Sequence, residues 1–235
     1  MTTSRTMDDS LGVGPALATE RGRAATYRLL AALYQQPKDW PPAVFNGTKA
    51  VETDVEVDAE KLRETMPDAD SLRLDHAQLF VGPFELAAPP YESVYVDDES
   101  RVMTDSTAAV QAEYYEAGVD IGIDEPADHV AAELEFVSLL VATEREALAA
   151  GDFEAVEHYL DRQYDFLVSH LGRWISELAE NVREHADTEF YALLADETRS
   201  FVEADGRRLA ERLERLDATD DGVITVLEGG DVDDR

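Results

Sequence analysis

The chain contains no cysteine. That absence excludes disulfides, cysteine-held iron–sulfur clusters and cysteine zinc sites, and it leaves no thiol nucleophile. Basic residues are scarce: 20 Lys and Arg stand against 52 Asp and Glu, for a formal charge of −32. Only Lys38, Lys49 and Lys61 are lysines. Phosphate backbones are held by clustered Lys and Arg, so nucleic acid is excluded as a partner class. No apolar run approaches the roughly 18 residues of a membrane helix, so no stable membrane insertion is expected. The N-terminus lacks a signal peptide's apolar core, and the one Arg-Arg pair, Arg207-Arg208, lies near the other end. A cytoplasmic location is the expectation. Sustained period-two alternation is missing as well, which argues against a sheet.

What is present is acid on a hydrophobic frame. Hydrophobic residues make up 44% of the chain, too many for a disordered acidic polymer. At low salt the unbalanced charge pushes a compact fold apart. At molar salt the screening length falls to about 3 Å and the repulsion largely disappears. A halophile's protein fits that balance.

Helical periodicity dominates. Residues 1–20 carry Thr, Ser, Asp and Gly with little pattern, and a loose N-terminal stretch is expected. From Arg21 to Tyr34, Ala24, Tyr27, Leu30, Ala31 and Tyr34 fall on one stripe, the pattern of a core-facing helix. A weak helix is expected over 57–66. A firmer one follows over 71–81, capped by Asp70 or Ser71 and stopped at Gly82-Pro83. Residues 84–103 read as a non-helical loop, stiffened by Pro89-Pro90 and carrying Tyr91 and Tyr95. A helix capped by Thr104 or Ser106 should run to Ala117. The next should open at Pro126, with Asp128 against the N–H groups of its first turn, and end at Gly151. A single long helix is expected from Asp152 to about Val182, packed antiparallel on its predecessor. The last runs from about Thr188 to Leu216. The reading is all-α: one helical bundle domain over 21–216, with an acidic tail over 217–235.

Catalytic signatures are few. No phosphate-binding loop, nucleophile elbow or Glu-x-x-His di-metal pattern occurs. His129 and Glu133 lie four residues apart and so share a helix face. With Asp128 beside them they are either an ordinary core-helix start or the ligands of a metal-dependent helical enzyme. In the tail, Asp217, Asp221, Gly222, Ile224 and Glu228 match a calcium loop's spacing. Thr219 stands where an acid or amide is usual, and Gly229-Gly230 replaces the exiting helix. Residues 223–227 have the composition of a short strand. No cofactor is expected.

Three stretches carry a family resemblance: Pro89-Pro90-Tyr91-Glu92-Ser93-Val94-Tyr95, Asp105-Ser106-Thr107, and Glu125-Pro126-Ala127-Asp128-His129. With His170-Leu171, Trp174 and Phe190-Tyr191 in the same order, the chain resembles the TorD/DmsD/NarJ chaperones of molybdoenzyme maturation over roughly residues 24–205. In that family's second motif an aromatic leads, whereas here His76 opens His76-Ala77-Gln78-Leu79-Phe80. The resemblance implies an all-helical fold and a chaperone rather than an enzyme. It implies binding to a molybdoenzyme catalytic subunit, of the dimethyl sulfoxide, trimethylamine oxide or nitrate reductase kind, and to its twin-arginine signal peptide. It is compatible with a monomer or a helix-swapped dimer. A receptor for two arginines and an apolar segment needs carboxylates beside an apolar groove, because Arg pairs with carboxylate forks. Asp128 and His129 are the leading candidates for that site, with Glu125 and Pro126 beside them. Tyr91, Glu92 and Ser93 come second. Tyr95, His76, Phe80 and Phe136 are the candidate walls.

Overall fold

The computed structural model describes residues 9–40, 44–45, 57–82, 86–97, 105–119, 122–123 and 125–217. Among them are nine α-helices: α1 (Asp9–Tyr34), α2 (Ala59–Glu64), α3 (Ala69–His76), α4 (Glu92–Val96), α5 (Asp105–Glu116), α6 (Val130–Ala150), α7 (Phe153–Ser169), α8 (Leu171–His185) and α9 (Glu189–Asp217). A 3-10 turn lies at Pro37–Asp39, and a π turn at Ala77–Val81 extends α3 to Gly82. No strand occurs among the described residues, only an isolated antiparallel bridge between Tyr91 and His129. The all-α expectation holds.

α1 lies along α6 in the most extensive helix pair, with α8 against α9 and α7 against α6. The apolar stripe read from Ala24 to Tyr34 faces this core, with Tyr27 and Leu30 fully buried. Trp174, Phe166, Phe190, Phe201 and Tyr191 fill the rest. Fully burying such side chains contributes about 1.5–3 kcal/mol each, which is why the hydrophobic stripes decide the architecture.

Several boundaries differ from the sequence reading, each for a tertiary reason. α1 begins at Asp9 rather than Arg21 and carries Pro15 inside it. Ala16 and Leu17 pack on the core and Glu20 is buried, so tertiary contacts outweigh the weak local pattern. The cap of α3 is Asp68, whose carboxylate accepts from the N–H groups of Asp70 and Ser71 at 3.0 and 3.1 Å. The expected loop at Tyr91–Tyr95 contains α4, a single helical turn. α6 starts at Val130, four residues after Pro126, and its cap is His129, whose Nδ1 accepts from Ala131 N–H at 3.1 Å. The single helix expected over 152–182 breaks at His170 into α7 and α8. His170 has φ −126° and ψ −102°, outside the helical region. Just past the break, a Cβ on Gly172 would collide with the Leu167 carbonyl, so glycine permits the close turn. The calcium-loop spacing and the strand-like 223–227 lie outside the described residues, apart from the backbone of Asp217 at the end of α9.

One feature went unread in the sequence. Arg23, 1% exposed, lies among α1, α6, α7 and α9. Its guanidinium donates twice to Asp205 at 2.7 Å, to Gln163 Oε1 at 2.9 Å, and to Glu20. Glu20 also accepts from Arg208 at 2.5 Å and Arg212 at 2.9 Å. Arg212 reaches on to Glu144 at 2.7 Å, and Tyr27 Oη donates to Asp205 at 2.8 Å. Burial alone would raise the Glu20 carboxyl, yet Arg23, Arg212 and Arg208 together hold it well below the usual carboxylate range. Burial and the neighbouring charge of Glu20 push Glu144 the other way. Asp205, Arg208 and Arg212 recur at helical spacing beside the buried Phe201, Val202 and Leu209, and that register was the available signal.

Candidate functional site

The stretch from Pro89 to Tyr95 is clasped to the stretch from Glu125 to Val130 by backbone and side chain. Glu92 N–H donates to the Asp128 carbonyl at 3.0 Å, and Val130 N–H to the Pro90 carbonyl at 2.9 Å. The Asp128 carboxylate accepts from Ser93 N–H at 3.1 Å, capping α4 from 35 positions away in the chain. A one-turn helix is not stable alone, so this distant cap explains why α4 is invisible to local periodicity. Tyr91 lies edge-on to the His129 ring, with centroids 5.2 Å apart. Tyr114 Oη donates to the Ala127 carbonyl at 2.9 Å and fixes the motif from α5.

Beneath this clasp lies a buried polar layer. Glu92 is 1% exposed and accepts from His170 Nδ1 at 3.0 Å, the bond that holds the α7–α8 break. Glu133, fully buried, accepts from Trp174 Nε1 at 3.2 Å. Trp174 in turn stacks on Tyr95 at 5.4 Å and 23°. Burial and the adjacent Glu92 charge raise the Glu133 carboxyl well above the ordinary range. As a carboxylate its Oε1 has no partner; protonated, it donates to Glu92. Burial, with a smaller contribution from His76, pushes the His129 imidazole down to about 3, so it is neutral and its Nδ1 is free to accept.

The weakened acidity of Glu133 sets a pH dependence. The unfolded chain releases this proton above an ordinary carboxylate value of 4.5, while the folded chain keeps it. Stability from this group is therefore lost progressively as pH rises above that value. Glu133→Gln, which cannot ionise but keeps an acceptor for Trp174 and a donor for Glu92, should remove that slope. Urea unfolding between about pH 5 and pH 8 should show the variant gaining on the parent as pH rises. A constant difference across that range would contradict a protonated Glu133.

The sequence-predicted site residues divide into three groups. Tyr91, Glu92, Ser93, Glu125, Pro126, Asp128 and His129 come together in the clasp, and Tyr95 joins it through Trp174. Of these, Glu125 is exposed and Tyr91 half-buried, with Tyr91 Oη donating to Glu125 at 3.4 Å. Burial and the Glu125 charge push the Tyr91 hydroxyl up to about 12. Asp128 and His129 are 0% and 5% exposed, so neither side chain faces solvent. His76 and Phe80 lie in a separate ring cluster with Tyr34 and Tyr191, where His76 does pack against aromatic rings. Phe136 packs against Tyr114 and Phe166 and, with Tyr114, Ala132 and Leu139, lines a groove between α5 and α6.

The metal-ligand reading of Asp128, His129 and Glu133 is not what the geometry supports. Each points to its own protein partner, Ser93 N–H, Ala131 N–H and the Trp174 indole respectively. Among the described residues no group of three His, Asp or Glu side chains is placed to hold a metal ion.

Comparison with known proteins agrees with this architecture. The family model described as nitrate reductase delta subunit matches residues 48–180. The chain belongs to that family. It includes the TorD and DmsD chaperones among this chain's relatives. The chaperone protein TorD of Aliivibrio fischeri is 29% identical over 157 residues, covering 64% of this chain and 71% of that one. The Tat proofreading chaperone DmsD of Salmonella typhimurium is 35% identical over 127 residues, covering 53% of this chain and 55% of that one. A crystal structure from Archaeoglobus fulgidus, described as a redox enzyme maturation protein, superposes with a TM-score of 0.52 at 22% identity. It covers 77% of this chain and 93% of that one, and it shows a shared fold. This chain is a chaperone of that family and not an enzyme. No helix among the described residues is long and apolar enough to cross a membrane.

Proposed function

We propose that this chaperone binds the N-terminal leader of a molybdopterin-dependent oxidoreductase and holds that client until its cofactor is inserted. The supporting observation is the division of labour among the acids at the head of α6. Asp128, Glu92 and Glu133 are buried and build the clasp, while Glu125 stays in solvent beside the Tyr91 ring. A carboxylate next to an aromatic face suits a guanidinium, which pairs with the first and lies over the second. An ammonium pairs less well with the same arrangement. The binding role thus passes from Asp128 and His129 to Glu125 and Tyr91, with the first two positioning the loop.

Calorimetric titration in molar KCl tests this with synthetic leaders carrying Arg-Arg or Lys-Lys before an apolar segment. Glu125→Gln should weaken the Arg-Arg peptide about tenfold, the size of one exposed-to-half-buried charged hydrogen bond. The Lys-Lys peptide should bind more weakly to the parent and respond less to the variant. Equal affinities for both peptides, unchanged by Glu125→Gln, would remove the clasp from the binding site. The nitrate reductase description of the family favours a second reading, an assembly factor that grips the body of a client without an export leader. No binding of any leader to the parent would move the assignment there.

A further inference from the structure

The joint between α4 and α6 is rich in hydrogen-bond acceptors and short of donors. Three carboxylates meet there, Glu92 on α4, Asp128 in the clasp and Glu133 on α6, and none is more than 1% exposed. Among the described residues each side chain accepts from one N–H group: Glu92 from His170, Asp128 from Ser93 and Glu133 from Trp174. Asp128 Oδ1, Glu133 Oε1 and Ser93 Oγ are buried without a partner. Two further titratable groups border the joint, and neither is a cation. Tyr114, from α5, donates its hydroxyl to the Ala127 carbonyl, and the neutral His129 accepts at Nδ1 from Ala131.

We propose that a proton shared between Glu133 and Glu92 latches α4 onto α6, and that its loss as pH rises releases α4 from the clasp. Two adjacent carboxyls in a dry site do not both ionise, since an unpaired charge costs far more there than in water. His170 donates to Glu92, which places the charge on Glu92 and the proton on Glu133. Glu133 then donates across the joint, and a repulsion between the two helices becomes a bond. The element on the far side is weakly built. α4 has five residues, and a single helical turn has no stability of its own. Its other holds are the bonds to Asp128 at 3.0 and 3.1 Å, the Tyr95 ring on Trp174, and Asn181 donating to Tyr95 Oη at 3.4 Å. Opening returns Glu133 to an ordinary carboxylate value of 4.5, whereas the latched state keeps its proton. The latch is therefore fully present below that value and is lost progressively above it. Because Tyr91 is the residue that precedes α4, release also draws its ring away from Glu125. The latch operates whatever the clasp binds.

The test is hydrogen–deuterium exchange of the full chain in molar KCl from about pH 5 to pH 8, corrected for the intrinsic pH dependence of amide exchange. Residues 92–96 should be less protected than α7, whose apolar face lies in the core, and their protection should not respond to sub-denaturing urea. That insensitivity marks a local opening rather than unfolding of the whole chain. Their protection should fall by up to about tenfold per pH unit, the limit for one linked proton. Glu133→Gln keeps a donor for Glu92 and an acceptor for Trp174 but cannot ionise, so its protection over 92–96 should stay level with pH. Its infrared spectrum should lack one protonated-carboxyl band that the parent shows near neutral pH. Two results in the parent alone would overturn the latch: protection over 92–96 that is flat with pH, or that matches α7 in level and in urea response. A slope that survives in Glu133→Gln, or an infrared spectrum that the substitution leaves unchanged, would also overturn it.

Discussion

Replacing Arg23 by methionine is expected to destabilise the fold by about 3–5 kcal/mol, the range for breaking a buried ion pair from one side. The side chain fits the space, so the loss is electrostatic. Asp205 is left facing only Tyr27 and the longer contact from Arg208 at 3.9 Å, and Glu20 loses one of three arginines. Both carboxylates remain buried, where an unpaired charge is far more expensive than in water. Arg23→Lys should recover only part of the loss. An ammonium is one point of charge, whereas the guanidinium serves Asp205 with two donors and Gln163 and Glu20 at the same time. Urea unfolding in molar KCl checks this. The loss should persist at high salt, because screening acts on exposed pairs and little on buried ones. A drop below about 1 kcal/mol would mean the network relaxes around the substitution.

Trp174→Ala is expected to cost a similar amount, about 3–5 kcal/mol, through a cavity in the centre of the core. It also removes the indole donor to Glu133 and the ring that Tyr95 stacks on. The second loss reaches function. α4 is held by the Asp128 cap, the Glu92–His170 bond and the Tyr95–Trp174 stack, and a one-turn helix has no stability of its own. Under the proposed function, leader affinity should therefore fall with stability, and amide exchange in residues 91–96 should accelerate more than in α7. Trp174→Phe keeps most of the volume and a stacking face without the N–H. It should lose less stability and retain the α4 protection. Equal exchange in α4 for the parent and Trp174→Ala would show that the other two contacts hold it alone.

The fold class was legible because helical periodicity repeats the same signal over many residues. The stripe from Ala24 to Tyr34, the stop at Gly151 and the run through Phe190, Leu194 and Phe201 all appear where the apolar spacing places them. Composition likewise excluded disulfides and cysteine metal sites, since each needs a residue type that is absent. The ordered family motifs pointed to the correct chaperone family. The residues of the clasp were legible as a set, but their roles were not. Asp128 looks like an anion at a helix start and is a buried cap for a different helix. His129 looks like a ligand beside Glu133 and is itself the cap of α6. The reason is physical: periodicity encodes which face of a helix is apolar, whereas a capping bond across 35 residues or a four-helix ion network depends on which elements meet. By itself, the order of residues determined the all-helical class, the excess of acid and the family. Only the tertiary structure decided which acids are walled in as scaffold and which, like Glu125, remain in solvent.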